Sequence, residues 1–270
     1  MSVFVITHKE IEMPSVRGYR PLLVGAINRD EILRSKYLRD DDGENISKYN
    51  DSYCEMTGLY WIWKNCKDDY VGLVHYRRFF AKVKCVCKLK SRYVLAGDEK
   101  KCIKIYTEEE LRGLLSDCEI IVKKSSIYRR GNKHIFNSVL GSRNMSLFKN
   151  VLREYDGACY NQFIENEDKR YHVNCNMFYA SKSLIDKYCT WLFPFLRKLD
   201  EYQISGGSSR FMSREIGYFA EIVFGAWLDA NKVNYKYVDA ITTGTNDAEA
   251  ACMRLSEVPY IVRKYIKRGM

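Results

Sequence analysis

The sequence predicts an α/β fold in which helices flank a mostly parallel central sheet. Short apolar segments at residues 3–7, 70–74 and 119–122 are typical of buried strands, and segments with helical periodicity separate them. Strands that alternate with helices are the pattern of a Rossmann-like parallel sheet. Of the 270 residues, 46% are hydrophobic, which suffices for the core of one large domain.

The first strand, residues 3–7, ends at the polar turn Thr7-His8-Lys9. Open α/β sheets bind ligands beyond the carboxyl ends of their strands, so this turn is a candidate binding segment. Residues 28–50 are rich in Asp, Asn and Gly and predict a long functional loop. Residues 51–65 predict a helix. Its core stripe consists of Tyr53, Met56, Tyr60 and Trp63.

Residues 70–74 predict a central strand that runs directly into His75-Tyr76-Arg77-Arg78. The basic, cysteine-containing residues 81–106 predict an insertion, and a small hairpin is one structure that would fit it. Thr107 and Glu110 have the spacing of a capping box, so a helix is expected to follow. The remaining predicted elements are a strand at 119–122, a basic loop at 123–133, a helix at 143–166, a strand within 171–180, a helix capped by Ser181 and interrupted at Pro194, a loop at 206–209, a helix at 211–231 and a strand at 235–240.

These elements predict one domain over residues 1–245, followed by a basic tail at 246–270. The net charge of +10 attracts nucleic acid, acidic lipid or phosphorylated small molecules, and charge alone does not select among them. No signal peptide or apolar run of roughly 20 residues is apparent, so a cytoplasmic protein with reduced cysteines is expected. Residues 258–270 fit peripheral contact with the inner face of an anionic membrane as well as a solvated terminal element.

The segment His75-Tyr76-Arg77-Arg78 is the sharpest candidate site. Arginine side chains bind phosphate oxygens in a bidentate manner, and a histidine donates one more hydrogen bond, so the segment suits a diphosphate. Pairing of both arginines with structural carboxylates at the sheet edge explains the same residues equally well.

The acidic segment at residues 40–44 offers oxygen ligands for a hard cation, although its spacing is not that of an EF-hand. A solvated turn, or a grip on ribose or sugar hydroxyls, are the alternatives. On the predicted helix 211–231, Glu221 shares a polar face with Arg214 and Tyr218. Apolar neighbours raise the pKa of a carboxylate, which suits a general base; a salt bridge to Arg214 is the alternative.

Several function classes are excluded by the absence of their motifs. The sequence contains no P-loop, no G-x-G-x-x-G, no G-x-S-x-G and no H-E-x-x-H. Cys85 and Cys87 form a C-x-C pair, but no C-x-x-C occurs, which disfavours a zinc site.

Seven segments form a composite pattern: residues 5–9, 19–25, 37–47, 55–65, 71–79, 176–178 and 217–221. The composite resembles a bacterial family first catalogued as a domain of unknown function. Its members sit among capsular and exopolysaccharide genes and are regarded as glycosyltransferases. The resemblance covers most of the chain and is weakest at 81–106 and after 245.

The resemblance implies a GT-A-like Rossmann-type fold and a hexosyltransferase that uses a nucleotide sugar, with UDP favoured. Its acceptor would be a saccharide or a lipid-linked saccharide in surface polysaccharide biosynthesis. Many enzymes of that fold carry an Asp-x-Asp metal motif after a central strand, where this chain has His75-Tyr76-Arg77. That departure puts a divalent metal, Mn²⁺ or Mg²⁺, in doubt, because basic groups can neutralise the leaving diphosphate.

The site implied in this way has three parts. Glu221 is the candidate catalytic base. The candidate donor-binding residues are Thr7, His8, Lys9, Asp41, Asp42, Asn45, Tyr53, Glu55, His75, Tyr76, Arg77 and Arg78. The candidate acceptor- or sugar-binding residues are His172, Asn174, Asn176, Arg214 and Tyr218.

Two other functions fit parts of the sequence. A basic, tyrosine-rich chain with an Arg-Arg-Gly loop fits a nucleic-acid-binding protein, but its positive charge is dispersed and no RNA-binding motif appears, so nucleic acid is not expected. A non-catalytic partner in a polysaccharide assembly complex would keep the fold without activity.

Overall fold

The computed structural model describes residues 1–83, 103–125, 127–205 and 214–242. The strands within these residues form one ten-stranded sheet. The strands are β1 Ser2–Thr7, β2 Tyr19–Leu23, β3 Leu38–Arg39, β4 Tyr70–His75, β5 Arg78–Val83, β6 Ile103–Ile105, β7 Ile120–Lys123, β8 Phe178–Ser181, β9 Tyr235–Val238 and β10 Ala240–Thr242. The α-helices are α1 Glu31–Lys36, α2 Asn50–Tyr53, α3 Met56–Asn65, α4 Glu108–Leu114, α5 Gly131–Tyr155, α6 Gly157–Asp168, α7 Lys182–Ser205 and α8 Glu215–Ala230.

Seven strands follow one another across the sheet in the order β3-β2-β1-β4-β8-β7-β9. Neighbouring strands on this path are parallel, except that β8 runs antiparallel to both β4 and β7. The strand β5 pairs antiparallel with β4, β6 and β10 and extends the sheet away from the main path. The predicted mostly parallel α/β sheet is therefore confirmed.

The sheet is buried on both faces, as the apolar character of its strands predicts. In β1, all six residues are buried, and successive side chains alternate between the two faces. Phe4 and Ile6 pack into the core formed with α3, α5, α6, α7 and α8. Val3 and Val5 pack into a second core that includes Leu111 of α4 and residues of β5 and β10. Helices and strands on both sides thus keep water from β1.

Several predicted elements are confirmed at the residues expected. The strands at 3–7, 70–74 and 119–122 correspond to β1, β4 and β7, and the strand within 171–180 corresponds to β8. Thr107 and Glu110 form a complete capping box at the start of α4. Ser181 Oγ accepts a hydrogen bond from the Leu184 amide at the start of α7, as a cap would.

Other predictions need correction. Residues 28–50 are not one long loop, because Asp30 caps the short helix α1 and the strand β3 follows it. The helix predicted at 51–65 is broken at Cys54, whose φ of 49° is left-handed, into α2 and α3. The helix predicted at 143–166 corresponds to the part of α5 after its non-helical Gly141 together with α6, and it is broken at Asp156. The helix α7 continues through Pro194. The central part of the 81–106 insertion, the 206–209 loop and the 246–270 tail lie outside the described residues.

The loops beyond β2 and β3 are joined by one buried carboxylate. Asp40 follows β3 and is fully buried. Its two oxygens accept hydrogen bonds from the amides of Gly25 and Ala26, at 2.9 and 3.0 Å, and from the Ser47 hydroxyl, at 2.6 Å. Asp40 is therefore a structural acceptor that holds two loops together, and its oxygens are turned toward the protein.

We predict that Asp40→Ala lowers the free energy of unfolding by about 3 kcal/mol or more, because three buried donors lose their acceptor. Urea denaturation measures the effect. The matched control is Asp42→Ala, whose exposed side chain should contribute less than about 0.5 kcal/mol. Equal losses in the two variants would show that Asp40 does not hold the loops.

Candidate functional site

The candidate residues come together at the edge of the sheet where the parallel strands β1, β4 and β7 end. We call this the carboxyl edge. Because β8 is antiparallel, the segment that enters it, residues 172–177, reaches the same edge. The topology thus brings the turn after β1, the segment after β4 and the approach to β8 side by side.

A cluster of basic side chains surrounds Tyr76 at this edge. The Thr7 hydroxyl donates to the Lys9 carbonyl at 2.6 Å and accepts from the Lys9 amide at 3.2 Å, which shapes the turn. The His8 ring meets the Tyr76 ring edge-on, with centroids 5.2 Å apart. Lys9 Nζ and Arg77 Cζ lie 5.1 and 5.0 Å from the centre of the same ring. Cation–π contacts therefore hold positive charge around one tyrosine.

Two further arginines, from distant parts of the chain, add to this charge. Partial burial lowers the pKa of His8, and the positive charges of Arg29, Lys9, Arg214 and Arg77 lower it further. We call the four cations that act on His8, namely Lys9, Arg29, Arg77 and Arg214, the cationic cluster. So many like charges repel one another, and a bound anion would relieve that repulsion.

Arg29 supplies a direct sign of an anion site. Its Nε atom is buried and has no hydrogen-bond partner in the described part of the chain. A buried donor without an acceptor costs about 1–3 kcal/mol. A phosphate oxygen would satisfy it, since guanidinium groups match phosphate in geometry and charge.

A pair of carboxylates, Glu55 and Glu221, lies beside the cationic cluster. Burial, and after it the negative charge of Glu55, raises the pKa of Glu221; the backbone N–H of Cys175 and the charge of Arg78 oppose this. Burial also raises the pKa of Glu55, against the hydrogen bond from Asn176 and the charges of Arg78 and Arg214. Carboxylates with raised pKa values are suited to accepting a proton from a substrate hydroxyl.

The turn before β8 orients this pair. Cys175 and Asn176 have φ angles of 68° and 46°, in the left-handed region that L residues rarely adopt. In this conformation the Cys175 amide donates to the Glu221 carboxylate. Asn176 Nδ2 donates to Glu55 Oε1 at 3.0 Å. Strained backbone of this kind is common where a site must hold its groups in place.

His75 is neutral in this setting. Its Nε2 lies 2.5 Å from the Cys175 carbonyl oxygen, so Nε2 carries the proton and donates. Burial, and after it the charge of Arg78, lowers the pKa of His75 to about 4. His75 therefore brings no positive charge to the end of β4, and its hydrogen bond joins this strand to the Cys175 turn.

Arg77 and Arg78 serve different parts of the site. Arg77 contacts Tyr76 within the cationic cluster. Arg78 begins β5, and its charge acts on Glu55 and Glu221 instead. The predicted diphosphate role fits Arg77, whereas Arg78 matches the alternative of pairing with carboxylates at the sheet edge.

The residues of the acidic loop hold that loop together. Asp41 forms ion pairs with Arg34 at 2.6 Å and with Arg39 at 3.5 Å. The Asn45 side chain donates to the carbonyls of Asp41 and Gly43 and accepts from the Ser47 amide. These contacts do not support the predicted donor-binding roles of Asp41 and Asn45.

Asp42, the third predicted residue of the loop, is exposed, and its carbonyl accepts from Trp61 Nε1 at 2.6 Å. Among the described residues, no group of three or more His, Cys, Asp or Glu side chains is arranged to hold a metal ion. The hard-cation alternative for the acidic segment thus finds no support in its geometry.

Three further candidate residues are buried inside the protein. Tyr53 is only 7% exposed and belongs to the hydrophobic core. His172 Nδ1 contacts Asn132 Oδ1 at 3.2 Å, and burial lowers the pKa of His172 to about 3. Asn174 accepts from Lys123 Nζ and donates to the Tyr128 hydroxyl. The contacts of His172 and Asn174 explain why their polar groups are tolerated inside the protein. The burial of all three residues does not support direct contact with donor or acceptor.

At the start of α8, Arg214 and Tyr218 remain at the site. The Arg214 amide donates to the Asp51 carbonyl at 2.8 Å, and its φ of 87° is left-handed. Tyr218, one turn later, is 38% exposed. A Cβ added to Gly217 would lie 3.1 Å from Cys54 Cβ, so α8 packs tightly against the break between α2 and α3. This close approach brings Arg214 and Glu221 next to Glu55.

Sequence reasoning missed Arg29 and the Cys175 backbone. Arg29 is one of 44 basic residues and follows a short 3₁₀ turn, so no local pattern distinguishes it. The left-handed conformation of Cys175 also has no signature, because cysteine rarely adopts it. Only the Asn-Cys-Asn spacing marks that segment as unusual.

The chain matches a protein-family model and resembles a solved structure. Residues 2–232 match the family model described as a domain of unknown function, DUF4422. Among solved structures, the chain is similar to the bifunctional glycosyltransferase WbbM in its apo form, with a TM-score of 0.77 and 23% identity over 91% of this chain and 45% of that chain. This chain thus spans less than half of that one. The likeness confirms the GT-A-like fold class. No curated protein matches.

Within the described residues, no helix is long and apolar enough to span a bilayer.

We predict that His75 and His172 stay neutral from neutral pH down to about pH 5, because burial disfavours their charged forms. Nitrogen-15 NMR of the ring nitrogens, assigned with His75→Gln and His172→Gln, measures this. The urea-unfolded protein is the control, in which both rings should titrate near the ordinary value of 6.5. Titration near that value in the folded protein would contradict the account.

Proposed function

The chain belongs to the DUF4422 family, and we propose that it is a glycosyltransferase that moves a hexose from a UDP-sugar to a saccharide or lipid-linked saccharide. One observation carries the proposal: the cationic cluster, in which Lys9 and Arg77 contact Tyr76, lies beside Glu55 and Glu221 at the carboxyl edge. A sugar transfer with inversion uses both groups, since a diphosphate departs as an acceptor hydroxyl loses its proton.

Two further findings support this proposal without deciding the substrate. The fold is shared with a protein called a bifunctional glycosyltransferase. The segments that contribute the site, residues 5–9, 55–65, 71–79 and 217–221, are also those in which the sequence resembles a family regarded as glycosyltransferases. The proposed place in surface polysaccharide biosynthesis rests on that resemblance alone.

In the proposed complex, the donor diphosphate lies against Lys9, Arg29 and Arg77. The unpartnered Nε of Arg29 donates to a phosphate oxygen, and Arg77 and Lys9 supply positive charge at the leaving group. Groups that are held in place before reaction stabilise developing charge without reorganisation. Tyr76 contacts Lys9 and Arg77 through its ring and so helps to hold these two side chains in place.

The transfer step then needs one base. As the acceptor oxygen forms its bond to the anomeric carbon, the bond from that carbon to the phosphate oxygen breaks, and its electron pair leaves with the nucleoside diphosphate. The acceptor hydroxyl proton passes to Glu221, whose carboxylate the Cys175 amide orients. A displacement with inversion requires such a base.

The nearby Glu55 has a different role in this proposal. It is held by Asn176, and its negative charge raises the pKa of Glu221. A base with a pKa closer to the working pH accepts a proton more effectively than an ordinary carboxylate. Glu55 is therefore a positioning and tuning residue for Glu221, rather than the donor-binding residue expected from sequence.

We also propose that transfer proceeds without a divalent metal. The segment after β4 carries His75-Tyr76-Arg77 where an Asp-x-Asp motif would supply carboxylates, and Arg77 belongs to the cationic cluster. The charge that a metal would contribute to the leaving diphosphate is here contributed by Lys9, Arg29 and Arg77.

The first prediction concerns the donor. UDP binds with EDTA present, and Arg77→Ala weakens binding about 10- to 100-fold, because a charge-assisted contact with phosphate contributes about 1.5–3 kcal/mol. Isothermal titration calorimetry measures the dissociation constant. The matched control is Arg197→Ala, which removes the same charge from an exposed site on α7. Binding that requires added manganese, or equal affinities in the two variants, would contradict the donor site.

The second prediction concerns the base. Glu221→Gln reduces kcat about 100-fold or more and removes the acidic limb of the pH–rate profile, since the base must be ionised. Because the pKa of Glu221 is raised above 4.5, wild-type activity falls as the pH drops through that higher value. Glu55→Gln moves this limb to lower pH, because it removes a neighbouring negative charge.

The control for this pair is Glu165→Gln, which changes an exposed carboxylate on α6 and should leave the profile unchanged. Near-normal turnover in Glu221→Gln would remove its role as base. Donor binding without any transfer to a panel of saccharides would favour the non-catalytic alternative.

A further inference from the structure

A basic surface adjoins the site on its β7 and β8 side. It consists of two segments, residues 127–133 and 169–171, and we call it the basic platform. Its exposed or half-buried cations are Arg129, Arg130, Lys133, Lys169 and Arg170. The one acidic side chain within or next to these segments is Asp168, so the platform has a strong net positive charge.

The two segments are locked together, so the platform is a defined surface. The Tyr128 amide donates to the Arg170 carbonyl at 2.7 Å, and the Asn132 amide donates to the Lys169 carbonyl at 2.9 Å. The buried Asn132 side chain donates to the carbonyls of Asn166 and Tyr171. These bonds fix the backbone from which the basic side chains project.

Several other surface cations have a carboxylate partner that the platform cations lack. Lys36, Lys82, Lys104 and Arg197 each pair with a carboxylate. Within the described residues, Arg129, Arg130, Lys133 and Arg170 have no such ion pair, and Arg130 instead contacts His134 at 3.3 Å. Concentrated charge without internal counter-ions fits an extended anionic partner.

Exposed apolar side chains accompany this charge. Ile127 is 39% exposed and Tyr171 is 48% exposed. Basic residues together with aromatic and aliphatic side chains characterise surfaces that rest on anionic lipid, where the cations meet headgroups and the apolar groups enter the interface. A free polyanion or a nucleic acid strand would not require the aliphatic group.

The platform is also continuous with the candidate site. Lys123, at the end of β7, donates to Asn174, and Asn174 donates to the Tyr128 hydroxyl in the platform segment. Asn174 directly precedes Cys175, whose amide binds Glu221. A surface held against the platform would therefore lie close to the segment that contacts the proposed base.

We propose that the basic platform docks the protein on an anionic phospholipid surface, with the carboxyl edge turned toward the bilayer. This docking does not rest on the proposed sugar transfer, because it requires only lipid. Combined with that function, it would present Glu221 to an acceptor anchored in the membrane.

The test is co-sedimentation of the full chain, without nucleotide, with two kinds of vesicle: phosphatidylcholine alone, and phosphatidylcholine mixed equally with phosphatidylglycerol. Wild type should bind the anionic vesicles and release at high salt. The triple variant Arg129→Gln, Arg130→Gln, Arg170→Gln should partition about 100-fold more weakly, since each cation near an anionic surface contributes roughly fivefold.

The matched control is Arg20→Gln, Lys67→Gln, Lys187→Gln, which removes the same charge from exposed positions outside the platform. It should bind as wild type does, and thermal unfolding should show both variants folded. Equal partitioning of the two variants would overturn the platform and would place any lipid binding elsewhere. Equal binding of wild type to both vesicle types, or tighter binding to RNA than to anionic vesicles, would also overturn it.

Discussion

The antiparallel direction of β8 is the constraint on which the site depends. A parallel strand in that place would send residues 172–177 to the opposite edge of the sheet. Because β8 runs against β4 and β7, this segment instead arrives beside the ends of both strands. Its left-handed turn then gives the Cys175 carbonyl to His75 and the Cys175 amide to Glu221. The direction of β8 thus allows a single segment to contact both the end of β4 and α8.

Positive and negative side chains occupy different parts of the site. Positive groups from four parts of the chain lie around His8, while Glu55 and Glu221 lie together, where Arg78 acts on both and Arg214 acts on Glu55. Two buried carboxylates that lie side by side disfavour each other's ionised form. The like charges around His8 repel one another, and this repulsion favours the binding of an anion. Such arrangements reduce the stability of the unliganded protein, and sites that bind charged substrates commonly carry this cost.

The fold could be predicted from sequence because its signals are local. The apolar residues of β1 and β4 and the capping box at Thr107 identify their elements without knowledge of the tertiary structure. The site could be predicted only in part: the turn after β1, Arg77 and Glu221 stand out by position and residue type. Arg29 could not be identified, since its approach to His8 depends on the tertiary fold. The burial of Tyr53 and His172 could not be foreseen, because polar atoms on aromatic rings suit ligands and buried contacts equally well.

A crystal structure of the protein with UDP would test the central claim, that the carboxyl edge between β1 and β4 is a nucleotide-sugar site. The account predicts the diphosphate within hydrogen-bonding distance of Arg29 and Arg77, with Glu221 facing the side of the β-phosphate where a sugar would lie. Nucleotide bound at another surface, or a diphosphate held by Asp41 and Asp42 through a metal ion with the cationic cluster unoccupied, would contradict it.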